Sequence, residues 1–258
     1  MSGQDRKSLR KIKVSRMEER AGNGKQEKVY RIFEEIAGRY DSANVRISLG
    51  MQRLWKKMLA DRLFKDVGSM SEKAPRILDL CTGTGDIAIL AARRNPGWKV
   101  VGLDFSPAML ERAAEKGAKY RCRNVLWREG NAMAIPYPDG TFHAVTISFG
   151  LRNCADLGRV LREIVRVLRP DGVLLCMDSF VPSNKAVRPF YRIYFRFLMP
   201  LLGGGGTHRK EYIWLQESTE KFCTPEELAQ LMRESGLQKP RIYRRMLGAC
   251  VLLETQKA

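Results

Sequence analysis

The run Ile77-Leu78-Asp79-Leu80-Cys81-Thr82-Gly83-Thr84-Gly85-Asp86-Ile87-Ala88 gathers residue types suited to binding chemistry. A short apolar stretch carries one acid, passes into two glycines and continues into helix-forming residues. Gly83 and Gly85 have no Cβ, so the backbone can turn sharply there and a ligand can approach it closely. Asp104 ends the next apolar run, where a carboxylate accepts hydrogen bonds from both ribose hydroxyls of an adenosine. Asn131-Ala132 follows a third apolar run and offers a side-chain amide and a backbone N–H to an adenine edge.

Gly83-x-Gly85-x-x-Ala88 also satisfies the dinucleotide pattern G-x-G-x-x-G/A. Asp79 shifts the balance. A dinucleotide loop must receive a pyrophosphate, and a carboxylate aimed at it repels that group. S-adenosyl-L-methionine has no phosphate and carries a sulfonium, an α-ammonium and an α-carboxylate. Asp79, with Asp86 close by, suits that cationic end. A second role for Asp79, orienting the N–H groups of the loop, is compatible with the first.

The elements that must position these residues follow from the pattern. RILDL at 76–80 reads as a strand after Pro75, WKVVGLDFS at 98–106 as a second, NVLWREGNA as a third and FHAVTISFGL as a fourth. Ser106 and Pro107 open a helix between the second and third strands. DLGRVLREIVRVL is an amphipathic helix, GVLLCMDSF a fifth strand, and residues 241–256 two closing strands. Thr224-Pro225-Glu226-Glu227 is a capping box whose helix runs to Ser235 and stops at Gly236. Repeated β–α–β alternation predicts a mostly parallel seven-stranded α/β sheet with helices on both faces. Apolar residues at helical spacing, Val29-Ile32-Phe33-Ile36 and Leu54-Trp55-Met58-Leu59-Leu63, predict a helical flank before it. The expected organisation is a basic flexible tail at 1–27 and one domain over 28–258. That domain carries an insertion near 182–222.

The chain has 258 residues, with 46 Lys plus Arg against 28 Asp plus Glu, a net charge of +18. Such an excess points to an anionic partner, nucleic acid or a membrane surface. The charge is spread out, being +5 over 1–30, +7 over 31–184 and +6 over 185–245. The six cysteines form no C-x-x-C pair and there are two histidines, so no metal site is signalled. Scattered thiols suit a cytoplasmic protein. The N-terminus lacks the apolar core of a secretory signal, and no run approaches the roughly 20 apolar residues of a membrane span. Residues 190–198 hold five aromatics, and Arg188, Arg192 and Arg196 recur at helical spacing. A helix with a basic and an aromatic face can lie in a membrane interface or line an apolar tunnel.

LDLCTGTGD, DFSPAML, GNAMAIPYPDGTFHAVTISFGLRN and RVLRPDG resemble the class I (Rossmann-like) methyltransferases. TISFGLRN is more specific. With FEEIAGRYDSAN, RLWKK and KEYIWLQES it resembles the C-methyltransferases of ubiquinone and menaquinone biosynthesis, over about residues 28–256. KEYIWLQES and YFRFLMP are most similar to the demethylmenaquinone branch of that family. The resemblance implies S-adenosyl-L-methionine as cofactor and a polyprenyl quinol as substrate. By the same resemblance Thr84 contacts the cofactor in the loop, Asp104 the ribose, Asn131 and Ala132 the adenine side, and Ser148 the cofactor at the end of the fourth strand. Arg152 and Asn153 face the reacting groups. The chain departs from the family in three places. Its basic extension is longer, Gly203–Gly206 replaces a bulkier segment, and Asp178 stands where a Glu is common.

Methylating a quinol ring requires help in removing a hydroxyl proton, because a phenolate is a far better carbon nucleophile than a phenol. Arg152 is expected to stabilise the oxyanion and Asn153 to orient the hydroxyl or a water. Asp41 and Tyr40 are the candidate base or positioning groups, and His208 is a weaker one. A quinol with an isoprenoid tail lives in a bilayer. The expected location is therefore the cytoplasm, peripheral at the inner face of the plasma membrane, with contact to anionic lipid rather than nucleic acid. The competing readings are a benzoquinol or RNA methyltransferase, a nicotinamide oxidoreductase disfavoured by Asp79, and a silent cofactor-binding protein. Oligomeric state is not legible.

Overall fold

The computed structural model describes residues 24–184, 186–194 and 216–258. Seven strands form one sheet in the order β3-β2-β1-β4-β5-β7-β6. They are β1 (Arg76–Leu80), β2 (Lys99–Asp104), β3 (Val125–Glu129), β4 (Phe142–Ser148), β5 (Leu168–Ser179), β6 (Arg241–Arg245) and β7 (Cys250–Gln256). β1 to β5 pair in parallel, and β7 runs antiparallel to both β5 and β6. The expected architecture is what the chain builds. β5 starts earlier than expected, because Arg169-Pro170-Asp171 stays within it.

Alternate residues of β1 enter opposite cores, as the two-residue period of a strand requires. Leu78 and Leu80 join a cluster with Phe142, Leu161, Ile164, Leu228 and Met232. Ile77 joins the cluster on the other face, with Leu59, Leu63, Ala88 and Trp98. The first cluster is covered by α6 (Leu157–Val167) and α8 (Pro225–Glu234), the second by α3 (Met51–Gly68) and α4 (Asp86–Arg94). Asp79 shares the face of Ile77 and so points towards α4.

The helix starts follow the capping chemistry of the sequence. Ser106 caps α5 (Pro107–Lys119) by accepting the Met109 N–H at 3.2 Å. Thr224 and Glu227 complete the capping box of α8, and Gly236 stops the chain beyond it at φ +98°. The N-terminal flank is not one continuous periodic stretch. It divides into α1 (Gly24–Ile36), α2 (Tyr40–Ile47) and α3, with left-handed Leu49 and Gly50 between the last two. Gly24 to Glu27, read as tail, belong to α1. Leu54, a member of the second apolar stripe, is 60% exposed. α7 (Arg188–Ile193) opens the aromatic segment. Arg196, Gly203–Gly206, His208 and residues 1–23 of the expected tail lie outside the described residues, as does most of the insertion.

Candidate active site

The parallel strands bring their C-terminal ends to one edge of the sheet, and the glycine loop after β1 sits there. Asp79 is buried and holds that loop from within. One carboxylate oxygen accepts the Thr82 hydroxyl at 2.5 Å and the Ala88 N–H at 3.2 Å, and the other accepts the Thr146 hydroxyl at 2.8 Å. Burial pushes its carboxyl up to about 6, against the opposing pull of these donors. Asp79 thus braces the loop through Thr82 and the first turn of α4 through Ala88.

Asp104 ties the loop to β2. One oxygen accepts the Gly83 N–H at 2.8 Å and the other the Ser106 N–H at 3.0 Å. Burial raises its carboxyl to about 6 as well. A carboxylate offers about four acceptor sites, so room remains for a further donor.

The two glycines have different reasons to be glycine. Gly83 is left-handed at φ +54°, and a Cβ there would meet nothing within 4 Å. Gly85 is left-handed at φ +80°, and a Cβ there would lie 2.5 Å from the Trp127 ring. Gly102 and Gly117 meet the same ring at 2.5 and 3.1 Å. Gly83 thus leaves room towards the cavities, while Gly85 seats a tryptophan.

Two cavities meet at this loop. The smaller, about 70 Å³, is lined by Asp104, Asn131, Ala132, Gly83, Ser148 and Asn153, among others. The α1 residues Gln26, Val29 and Phe33 also line it. Phe33 packs edge-on against Phe105 at 6.4 Å and Tyr40 at 5.9 Å. Glu34 on α1 accepts the Ser106 hydroxyl at 2.7 Å and the Ala108 N–H at 3.1 Å, so a carboxylate sits at the positive end of α5. The larger cavity, about 550 Å³, has walls from α2, α3, α7 and the β6–β7 turn. Its apolar lining includes Trp55, Ile87, Phe149, Val187, Tyr191 and Leu247. Tyr40, Cys81, Gly83, Ser148 and Phe149 line both cavities. Ser148 Oγ is buried on this shared wall and has no hydrogen-bond partner among the described residues.

Arg152 lines the larger cavity from the short helix after β4 (Leu151–Asn153), and it is buried. Its guanidinium is paired with Asp178 and donates to the Phe149 carbonyl at 2.9 Å. Its backbone N–H donates to Asp178 at 3.2 Å. The short Asp178 side chain therefore reaches the arginine. Burial raises the Tyr40 hydroxyl above its ordinary value, opposed by Lys56 and Arg152.

Two expected positions differ. Asp41 lies outside the lining of the larger cavity. It accepts the Thr84 hydroxyl at 2.6 Å and pairs with Lys116 at 2.7 Å, because α2 turns it towards α5. Lys116 also pairs with Asp86, which Lys56 holds at 2.5 Å from the other side. Asp86 is thereby committed to lysines, which hold its carboxyl low against burial. Asn153 lines the smaller cavity, and its amide donates to the Phe149 carbonyl at 3.3 Å rather than reaching the larger one. Glu34, Thr82, Lys116, Trp127 and Thr146 were missed by sequence reasoning. Only Thr82, inside the glycine motif, carried a local signal.

This sheet order, the glycine loop and the acid after β2 define a class I methyltransferase. The chain matches the ubiE/COQ5 methyltransferase family over residues 21–257 and belongs to that family. It is 39% identical over 227 residues to a demethylmenaquinone methyltransferase of Listeria monocytogenes, covering 87% of this chain and 93% of the relative. It is 44% identical over 208 residues to one from Thermus thermophilus, covering 80% and 90%. Among solved structures, a methyltransferase from Thermotoga maritima superposes with a TM-score of 0.60 at 19% identity, covering 89% of this chain and all of that one. The CurJ carbon methyltransferase also scores 0.60, at 15% identity, covering 79% and 54%. At these identities the structures support the fold alone.

Proposed function

We propose that this chain methylates a ring carbon of a polyprenyl quinol, converting demethylmenaquinol to menaquinol. The observation that carries this reading is the larger cavity, mostly apolar and bounded by aromatic side chains. It opens directly onto the glycine loop and holds one buried arginine on its wall. A flat aromatic ring with an isoprenoid tail suits such a lining. The relatives named for demethylmenaquinone support that choice of ring.

S-adenosyl-L-methionine, when bound, supplies a methyl group made electrophilic by its sulfonium. The residues present fit it. Asp104 has acceptor capacity for ribose hydroxyls, Asn131 and Ala132 line the adenine side, and Gly83 leaves open space. Ser148 keeps an unsatisfied hydroxyl on the shared wall, and Thr84 and Gly85 hold the loop in shape. Asp79 fixes the loop beneath.

Arg152 faces the larger cavity with its guanidinium paired to Asp178, and a quinol hydroxyl placed beside it passes its proton to water. A guanidinium donor at that oxygen favours the ionised form, which lowers the hydroxyl pKa and stabilises the phenolate oxygen. Asp178 and the Phe149 carbonyl hold the guanidinium in place. Phe149 and Tyr40, on the boundary of the two cavities, position the ring. The chain collects its substrate as a peripheral protein at an anionic membrane. Among the described residues no helix is long and apolar enough to cross one.

The test separates the two cavities. Asp104→Ala weakens cofactor binding, measured by calorimetry, whereas Arg152→Ala leaves it near wild type and lowers turnover. Unchanged cofactor affinity in the Asp104 variant would mean the site is misplaced.

A further inference from the structure

The lining of the larger cavity includes solvent-exposed side chains that a protein in water ordinarily hides. Leu49 is 67% exposed, Phe190 74%, Met246 50% and Leu247 73%, and all four line the cavity. They come from three separate segments, the α2–α3 turn, α7 and the β6–β7 turn. Ile193, one helical turn after Phe190, is 51% exposed and extends the same apolar face.

The backbone at this rim is unusual. Leu49, Met246 and Leu247 are all left-handed, with φ of +49°, +47° and +55°. Glycine or asparagine takes such positions without cost, whereas an ordinary side chain is strained there by roughly 1–2 kcal/mol. Folding alone does not call for large apolar residues at strained, solvent-facing turns. Strain of this kind gathers at functional surfaces.

Charge completes the pattern. Residues 44–54 hold two arginines, 181–194 hold three Lys or Arg and 241–250 hold three arginines. None of the three segments contains an Asp or Glu. Arg46, Arg188 and Arg245 are exposed and each lies within three positions of an apolar tip, whereas Arg53 lines a separate groove. Arg244 is engaged with Glu226 and Arg241 with Glu254, so among the described side chains the charge near the tips rests on Arg46, Arg188 and Arg245.

We infer that Leu49, Phe190, Met246 and Leu247 form a collar that enters the acyl boundary of an anionic bilayer, with the flanking arginines on the lipid headgroups. Apolar tips beside cations match that interface. The collar residues line the cavity, so docking joins the cavity to the hydrocarbon phase. A tailed substrate then moves from lipid to site without exposing its tail to water. This inference rests on the quinol reading for its purpose, but not for its test.

The test is co-sedimentation of the full chain with quinol-free vesicles of phosphatidylcholine alone or mixed with phosphatidylglycerol. Wild type is expected to sediment with the anionic vesicles and to be released by salt. Leu49→Ser with Leu247→Ser is expected to weaken binding about tenfold or more. Ile193→Ser, outside the cavity lining, should weaken it less and serves if the double variant unfolds. Cofactor affinity, measured in parallel, should stay at the wild-type value and shows that each variant is folded. Equal vesicle binding by the folded variants would overturn the collar. So would a concentration-dependent dimer lost in the Leu247 variant, which would assign the face to a second copy. Methylation of detergent-solubilised quinol by a protein that ignores vesicles would sink the collar and leave the function standing. Vesicle binding without methylation would do the reverse.

Discussion

Asp178, fully buried at the end of β5, holds both the guanidinium and the backbone N–H of Arg152. One carboxylate thus fixes the position and the orientation of the only arginine lining the larger cavity among the described residues. Removing one partner of a buried pair strands the other charge and costs about 3–5 kcal/mol. Asp178→Ala is expected to lower the melting temperature and kcat together. Asp178→Glu should recover part of both. Cofactor affinity, read by calorimetry, should change little, because Asp178 lines neither cavity.

The ribose role proposed for Asp104 predicts that cofactor binding depends on pH. Its carboxyl is raised to about 6 by burial, and in that proposed role it would accept the ribose hydroxyls in its ionised form. Affinity should be flat above about pH 7 and fall by about tenfold per pH unit below the folded pKa. The stability of the ligand-free protein should run the other way. A carboxyl with a raised folded pKa binds more protons when folded, so its contribution is lost as pH rises from about 4 to about 6. Asp79, also raised to about 6, adds to that slope. Calorimetric titrations and urea melts across this range check both signs.

Asp41 separates a positioning role from a catalytic one. Its oxygens are occupied by Thr84 and Lys116. Asp41→Asn should raise the cofactor Kd a few-fold through the loop and lower kcat by less than about tenfold. Loss of a general base would cost about 100- to 10,000-fold in kcat with cofactor affinity intact. Steady-state kinetics beside cofactor titration tell these outcomes apart.

Gly83 and Gly85 should fail differently. Gly85→Ala strains a left-handed position and drives a methyl into Trp127, at a cost of about 2–4 kcal/mol of stability. Gly83→Ala pays only the backbone strain, about 1 kcal/mol, yet narrows the space beside the cofactor pocket. The first variant should show the lower melting temperature, the second the weaker cofactor binding per unit of stability lost.

Local rules made much of this chain legible. Strand runs, the Ser106 and Thr224 caps, the Gly236 stop and the acid ending β2 all act within a few residues, and each sits where the sequence places it. Relationships between distant segments were not legible. Lys116 reaches Asp41 across 75 positions, and Trp127 selects glycine at three places in other elements. The sequence pattern could not tell a glycine kept for a ligand from one kept for a ring. Nor could helical periodicity show that α2 turns Asp41 away from the cavity, or that Leu54 faces solvent. The net charge of +18 first suggested nucleic acid. The acid-free segments around the cavity mouth give part of that excess a place on the fold.

The central claim is methyl transfer to a quinol ring. Incubation with methyl-labelled S-adenosylmethionine and demethylmenaquinol, a demethylated benzoquinol or bulk RNA tests it most directly. The account predicts label in the naphthoquinol, carried on a ring carbon, with RNA unlabelled. Label in RNA and none in either quinol would contradict it.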